Sequence, residues 1–301
     1  MEYLHSNRKL FSEVLTLTAN KLHISEQIVE KDYYLSLILK SLSEQLPFVV
    51  FKGGTSLSKC YQVINRFSED IDITTDIPLT QGQKQKLKSV ILSIVDDMNL
   101  SISNLNQTRS RRDYNRYVIN YNSTVESLTN ALQSTVILET TYTTTSFPVN
   151  QKYVTSYIQQ ILLDEAPDLI DIHSLTPHQM KVQSLERTFI DKIFAICDYY
   201  LQNNVTRHSR HFYDLYKLLP LIKIDSAFES LITSVRNERS KSPICVSAKP
   251  DVNINTVLLD IIDSKAYLED YNKLTRQLLG ETIEYDETTL AIQKIVDYNL
   301  F

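Results

Sequence analysis

Lys52-Gly53-Gly54-Thr55-Ser56, followed a short helical stretch later by Phe67-Ser68-Glu69-Asp70-Ile71-Asp72-Ile73, decides how this chain is read. The chain has only four glycines, and two of them are adjacent here, directly after the apolar run Phe48-Val49-Val50-Phe51. In an extended strand successive side chains alternate faces, so Asp70 and Asp72 share one side while Ile71 and Ile73 enter the core. Two carboxylates that close repel unless a cation neutralises them, and hard divalent ions such as Mg²⁺ or Mn²⁺ take oxygen ligands of this kind. Upstream, glycines let a backbone approach a ligand closely, and Thr55 is expected to N-cap a helix over Ser56 to Ile64, where a helix start would favour phosphate. The alternative reading is an acidic turn at a strand end beside a tight loop.

Strand, double glycine, short helix and a strand bearing Asp-x-Asp is similar to the arrangement in nucleotidyltransferases of the DNA polymerase beta type. The resemblance implies that the glycine turn holds a triphosphate and that the aspartates hold the metal. Fifteen residues, 55 to 69, lie between Gly54 and Asp70, long for that superfamily, so an extra turn is expected in the helix or at Asn65-Arg66.

Working outward, 301 residues suffice for two domains or one large one, with 43% hydrophobic and 22% charged residues and a net charge of -5. That charge argues against a protein that coats nucleic acid nonspecifically. No segment approaches the roughly 18 consecutive apolar residues of a membrane span, and Met1 to Lys9 lack an apolar signal core, so a cytoplasmic protein without membrane association is expected. Cys60, Cys197 and Cys245 show no paired spacing, and His208 with His211 has no second ligand pair, so neither a disulfide framework nor zinc is expected. Two basic clusters, Arg109-Arg111-Arg112-Arg116 interleaved with Tyr114 and Tyr117, and Arg207-His208-Arg210-His211, read either as phosphate-contacting patches or as solvated charged faces.

Ser25 is expected to N-cap a helix through about Ser43, with Ile28, Leu35, Leu39 and Leu42 as its apolar stripe. Strands are expected at Phe48 to Phe51, Glu69 to Thr74, Tyr117 to Tyr121 and Thr135 to Tyr142, with a helix near Gln83 to Asn99. That pattern makes a mixed α/β (α+β) domain over residues 1–170. Glu139, in the last strand, reads as a third metal carboxylate or as an edge glutamate facing water. Residues 148–177 show no regular period, and 171–301 read as mainly helical. There Phe189, Ile193 and Ile196 mark a buried helix face with Lys192 beside it, and Asp214 lies on the next helix. Lys192 suits a triphosphate and Asp214 a proton acceptor, or the two form a structural ion pair between helices.

Five ordered stretches then converge: Glu30-Lys31-Asp32-Tyr33-Tyr34, Phe51 to Leu57, Arg66 to Asp72, Arg187-Thr188-Phe189-Ile190-Asp191-Lys192, and Arg210-His211-Phe212-Tyr213-Asp214-Leu215. In these the chain resembles the AbiEii/AbiGii toxin family, the nucleotidyltransferase-like component of type IV toxin-antitoxin and phage abortive-infection systems. The resemblance implies a polymerase-beta-like domain with a helical C-terminal domain completing an active-site cleft. It places nucleotide binding at Gly53, Gly54, Thr55, Ser56 and Lys192, metal at Asp70 and Asp72, and a catalytic or structural acid at Asp214. The family commonly has glutamate where Asp191 stands, and no role is assigned to Asp191. The implied function is a metal-dependent, NTP-using nucleotidyltransferase toxin with a cognate antitoxin, adding NMP to an RNA such as the tRNA 3′ end. Alternatives are a nucleotide-binding interaction protein without transfer, and a small-molecule nucleotidyltransferase.

Overall fold

The structure, a computed structural model, describes residues 2–66, 68–125 and 133–301. Phe67 of the aspartate motif lies outside the described residues. The chain divides into two compact units, Met1–Tyr61 with Glu69–Val182, and Gln62–Ser68 with Gln183–Phe301.

The first unit opens with α1 (Arg8–Leu22) and α2 (Glu26–Gln45). Ser25 caps α2 as expected, its hydroxyl accepting from the Ile28 N–H at 3.3 Å. Then come β1 (Val49–Lys52), α3 (Gly53–Ser56), a π-helical turn over Leu57–Tyr61, and β2 (Asp70–Thr75). Next are α4 (Gln81–Asp97), β3 (Ser101–Ile102), β4 (Tyr114–Asn120), β5 (Thr135–Thr141), β6 (Val149–Val154), α5 (Tyr157–Glu165), α6 (Pro167–Ile172) and β7 (His178–Gln183). The strands form one mixed sheet in the order β3-β4-β5-β2-β1-β7-β6, with β1 antiparallel to β2 and parallel to β7, and β2 parallel to β5.

The alternation argument holds on β2, where Ile71 and Ile73 are fully buried and Asp70 and Asp72 half-buried. Those isoleucines join Phe51, Val136 and Leu138 of the sheet in one core with Leu35, Leu39 and Leu42 of α2 and Leu87, Ile91 and Ile94 of α4. By apolar-burial bookkeeping each such side chain contributes about 1.5–3 kcal/mol, so the sheet centre that carries the aspartates is rigidly held.

Two expectations need correction. The stretch 148–177 is not irregular, for it contains β6, α5 and α6, with β7 just beyond. Its periodicity is hidden because β6 leaves Asn150, Gln151 and Tyr153 partly or fully exposed and breaks strict alternation. Thr55 is not an N-cap: Lys52 occupies that position without a side-chain cap, and Thr55 is buried inside α3. The helix begins three residues earlier because Gly53, at φ +78°, makes the turn that a side-chain cap would otherwise help to define.

The second unit is helical: α7 (Leu185–Leu201), α8 (Arg210–Leu218), α9 (Ser226–Arg239), α10 (Ile254–Asp263), the short α11 (Leu268–Asp270) and α12 (Arg276–Leu278), and α13 (Tyr285–Asp297). Ser184 caps α7 by accepting from the Arg187 N–H at 3.2 Å. Phe189, Ile193 and Ile196 form its buried face, and Phe212 of α8 stacks on Tyr285 of α13 with ring centroids 5.4 Å apart. Residues 62–66, which lie between the glycine turn and β2 in sequence, pack as a strap in this unit. Gly280 N–H donates to the Asn65 carbonyl at 2.9 Å, the Asn65 N–H donates to the Tyr213 hydroxyl at 2.9 Å, and Arg66 bridges to Leu279. Of the two places expected to absorb the long spacing before Asp70, Asn65-Arg66 is the one that lies in this strap.

Candidate active site

β1 ends at Lys52 opposite Asp72 of β2, Asp72 pairs in register with Glu139 of β5, and Glu139 pairs with Arg116 of β4. Residues in register on neighbouring strands point to one face. Lys52, Asp72, Glu139 and Arg116 therefore form a charged row across that face, with Asp70 one step along β2. Gly53 presses on this row: a Cβ added there would lie 2.1 Å from Asp72 Oδ2 and 2.9 Å from its Cγ. Only glycine fits, on grounds of both backbone angle and space. The turn is closed by the Ser56 hydroxyl, which donates to the Gly53 carbonyl at 2.9 Å.

Three residues of α2 hold the segments on either side of this turn. Lys31 pairs with Glu69 just before β2, and Asp32 pairs with Lys59 of the π-helical turn while accepting from the Tyr157 N–H at 2.8 Å. Glu30, buried, accepts from the Ser123 hydroxyl at 2.6 Å and the Thr124 N–H at 2.7 Å. Burial pushes the Glu30 carboxyl up, against the lowering effect of those two bonds. The Glu30-Lys31-Asp32 motif thus clamps the site's surroundings.

Asp70 and Asp72 offer hard oxygen donors on one face, a set that would suit a divalent cation such as Mg²⁺ or Mn²⁺. Glu139, expected as a third metal carboxylate or an edge glutamate, stands in register with Asp72. It engages the Arg116 guanidinium at 3.7 Å and the Tyr114 hydroxyl, and among the described residues no three His, Cys, Asp or Glu side chains are grouped to hold a metal ion.

In the second unit Lys192 and Asp214 do meet, in a buried cluster with a third member. Arg66 from the strap grips Asp214 through Nε at 2.6 Å and Nη2 at 2.8 Å, and Lys192 Nζ donates to Asp214 Oδ2 at 2.6 Å. Burial alone would raise the Asp214 carboxyl, but Arg66 and Lys192 overcome it and hold the group well below the usual carboxylate range. Burial pulls the Lys192 ammonium down, Asp214 opposes this, and Arg66 adds to it. Sequence reasoning gave Arg66 no role. No local signal could have found it, since Asp214 and Lys192 already balance each other's charge and Arg66 lies 148 positions from its partner.

Asp191 also acquires a place. It accepts from Arg187 Nε at 3.0 Å and from Arg239 Nη1 at 3.0 Å, while Arg239 Nη2 reaches Asp198 at 2.7 Å. This network ties α7 to α9 and explains why a short carboxylate serves there. In the basic clusters, Arg109 and Arg112 are exposed and Tyr117 is buried, while His208 lies flat on Tyr199 with centroids 3.4 Å apart and His211 is stacked beyond it.

With this geometry in hand, residues 37–293 match the family described as nucleotidyl transferase AbiEii toxin, type IV TA system. In structure the chain is similar to MenT4, a nucleotidyltransferase toxin from Mycobacterium tuberculosis H37Rv. The TM-score is 0.51 at 16% identity, covering 94% of this chain and 88% of that one. No curated protein matches the chain.

Proposed function

Because the chain belongs to the AbiEii nucleotidyltransferase toxin family of type IV toxin-antitoxin systems, we propose that it transfers NMP from an NTP to a hydroxyl of an RNA acceptor, the tRNA 3′ end being the first to test. A cognate antitoxin is its proposed protein partner. The observation that carries this reading is the seating of the Gly53 turn against Asp72, 2.1 Å from where a Cβ would be. A backbone brought that close to the Asp72 carboxylate leaves space there for a ligand but for no side chain.

Gly53, Gly54, Thr55 and Ser56 are read as the phosphate-facing segment, and Asp70 and Asp72 as the metal ligands. A bound Mg²⁺ or Mn²⁺ supplies neutralisation of phosphate charge and activation of the attacking hydroxyl. The acceptor hydroxyl gives up its proton to solvent as its oxygen bonds to the α-phosphorus, the bond from that phosphorus to the oxygen bridging to the β-phosphate breaks, and pyrophosphate departs with that electron pair.

Lys192 is read as a cation for nucleotide phosphate, since one bond to Asp214 leaves it further donors. Asp214 is read as a positioning residue rather than a base. Both its oxygens are engaged by cations, and a carboxyl held this far below its usual range does not take a proton near neutral pH. Arg66 shares that role.

The test is incorporation of α-labelled nucleotide into total RNA, run separately with each of the four NTPs, with and without chelator. Label in a tRNA-sized band that chelator abolishes supports the proposal. NTP binding without incorporation under every condition favours a binding protein instead, and label found only in small molecules favours a small-molecule transferase.

A further inference from the structure

The loop that leads into β4 concentrates positive charge in a chain whose net charge is -5. What distinguishes this cluster from a solvated charged face is how its cations are held. Arg109 donates to the carbonyl oxygens of Asn106 at 2.6 Å and Thr108 at 2.8 Å, Arg112 to that of Gln107 at 2.8 Å, and Lys88 of α4 to that of Thr108 at 3.0 Å. Carbonyls are neutral, so these bonds fix the cations in place without cancelling their charge. Among the described residues, the ion pairs at this cluster are Asp113 with Lys84 and Glu139 with Arg116. The charge accumulates enough that Arg109, after burial, helps to pull the Lys88 ammonium below its ordinary value. Immediately beyond, Tyr114 exposes 48% of its surface although it is a large aromatic, and its hydroxyl bonds Glu139, the register partner of Asp72.

Fixed, unneutralised cations beside an exposed ring are what a single-stranded polynucleotide requires, the cations for its phosphates and the ring for a base. We infer that the face made by the Arg109 to Arg112 loop and Tyr114, which follows it on β4, binds the single-stranded end of the RNA acceptor. The charged row through Arg116 and Glu139 leads from this face to Asp72. The inference rests on the transferase reading for the acceptor's purpose, but the face is defined by its own charge and exposure.

The experiment is fluorescence anisotropy of a labelled single-stranded oligoribonucleotide of about twelve nucleotides with the full chain, between about 50 and 200 mM salt and without NTP. Arg111→Gln/Arg112→Gln removes two exposed cations. At about 0.7 per phosphate contact on a single strand, it is expected to lower the slope of log affinity against log salt by about 1.4, with a roughly tenfold loss of affinity at the lower salt. Arg111→Lys/Arg112→Lys, which keeps the charge, is expected to recover most of that loss. Tyr114→Ala is expected to weaken binding and Tyr114→Phe to preserve it. Unchanged affinity and slope in the glutamine pair, absence of binding by the unaltered chain, or failure of the lysine pair to recover would each overturn the inference. Label transfer measured in parallel separates the two claims: RNA bound at this face with no transfer strikes the transferase reading alone, and transfer with no dependence on this face strikes the inference alone.

Discussion

Replacing Gly53 by alanine isolates the feature on which the functional reading rests. At φ +78° an alanine backbone is strained by about 1–2 kcal/mol relative to glycine. Its Cβ would stand 2.1 Å from Asp72 Oδ2, so the carboxylate must withdraw by roughly 1.3 Å to reach the 3.4 Å of ordinary contact. A displacement of about 1 Å in a reacting constellation can cost about a hundredfold in rate. Gly53→Ala is therefore expected to lose about 2–3 kcal/mol of stability in urea unfolding and about a hundredfold in nucleotide transfer. The cycle with Asp72→Ala divides the two effects. Removing the obstructing carboxylate should leave Gly53→Ala costing only the backbone share, about 1–2 kcal/mol. A Gly53→Ala protein that transfers nucleotide within a few-fold of the unaltered chain would refute the reasoning, as would an equal stability cost in both backgrounds.

Asp214→Asn leaves Arg66 and Lys192 buried without their counterion, and a loss of about 3–5 kcal/mol in chemical unfolding is expected; a loss below about 1 kcal/mol would show that the cluster is not stabilised by charge pairing. Because Arg66 and Lys192 depress the Asp214 carboxyl, its contribution is complete above the ordinary carboxylate range and is lost as pH falls below about 4, so Asp214→Asn should flatten acid unfolding in that window. His208 is pulled down to about 4 by burial and by Arg210, so the folded chain takes up its proton later than the unfolded one. Stability measured from about pH 6.5 down to 4 should therefore fall, and His208→Asn should reduce that slope. Lys31→Met releases Glu69 at the start of β2 while leaving the core intact, and is expected to lower transfer more than it lowers the unfolding midpoint.

The parts of the fold that were legible in the sequence are those whose cause is local. Strand β2 declared itself because Ile71 and Ile73 must be buried while Asp70 and Asp72 cannot be, and α2 did so through Ser25 and its apolar stripe. The strand β6 was hidden because its exposed polar residues mask the alternation, and β7, His-Gln-Met-Lys-Val-Gln, hides its parallel pairing with β1 behind polar side chains. Thr55 misled because a cap signal and a residue buried one turn inside a helix look the same until the glycine turn is seen. Within the site, Gly53 and the aspartates were readable as chemistry, and Lys192 with Asp214 as a pair. Arg66 was not readable, because its partner Asp214 lies 148 positions away and no local pattern reports a contact of that range. Glu139 was readable only as a carboxylate on a neighbouring strand; that Arg116 and Tyr114 engage it is a property of the sheet register.

The central claim is that Asp70 and Asp72 beside the Gly53 turn perform nucleotide transfer. Single-turnover transfer of α-labelled NTP to RNA by Asp72→Asn, a substitution that keeps the shape and removes the charge, tests it most directly when RNA binding and unfolding are measured on the same preparation. The account predicts at least a thousandfold loss of transfer, on the order of 4 kcal/mol of transition-state stabilisation, with folding and RNA affinity retained. Transfer at the unaltered rate by a folded Asp72→Asn protein would contradict it.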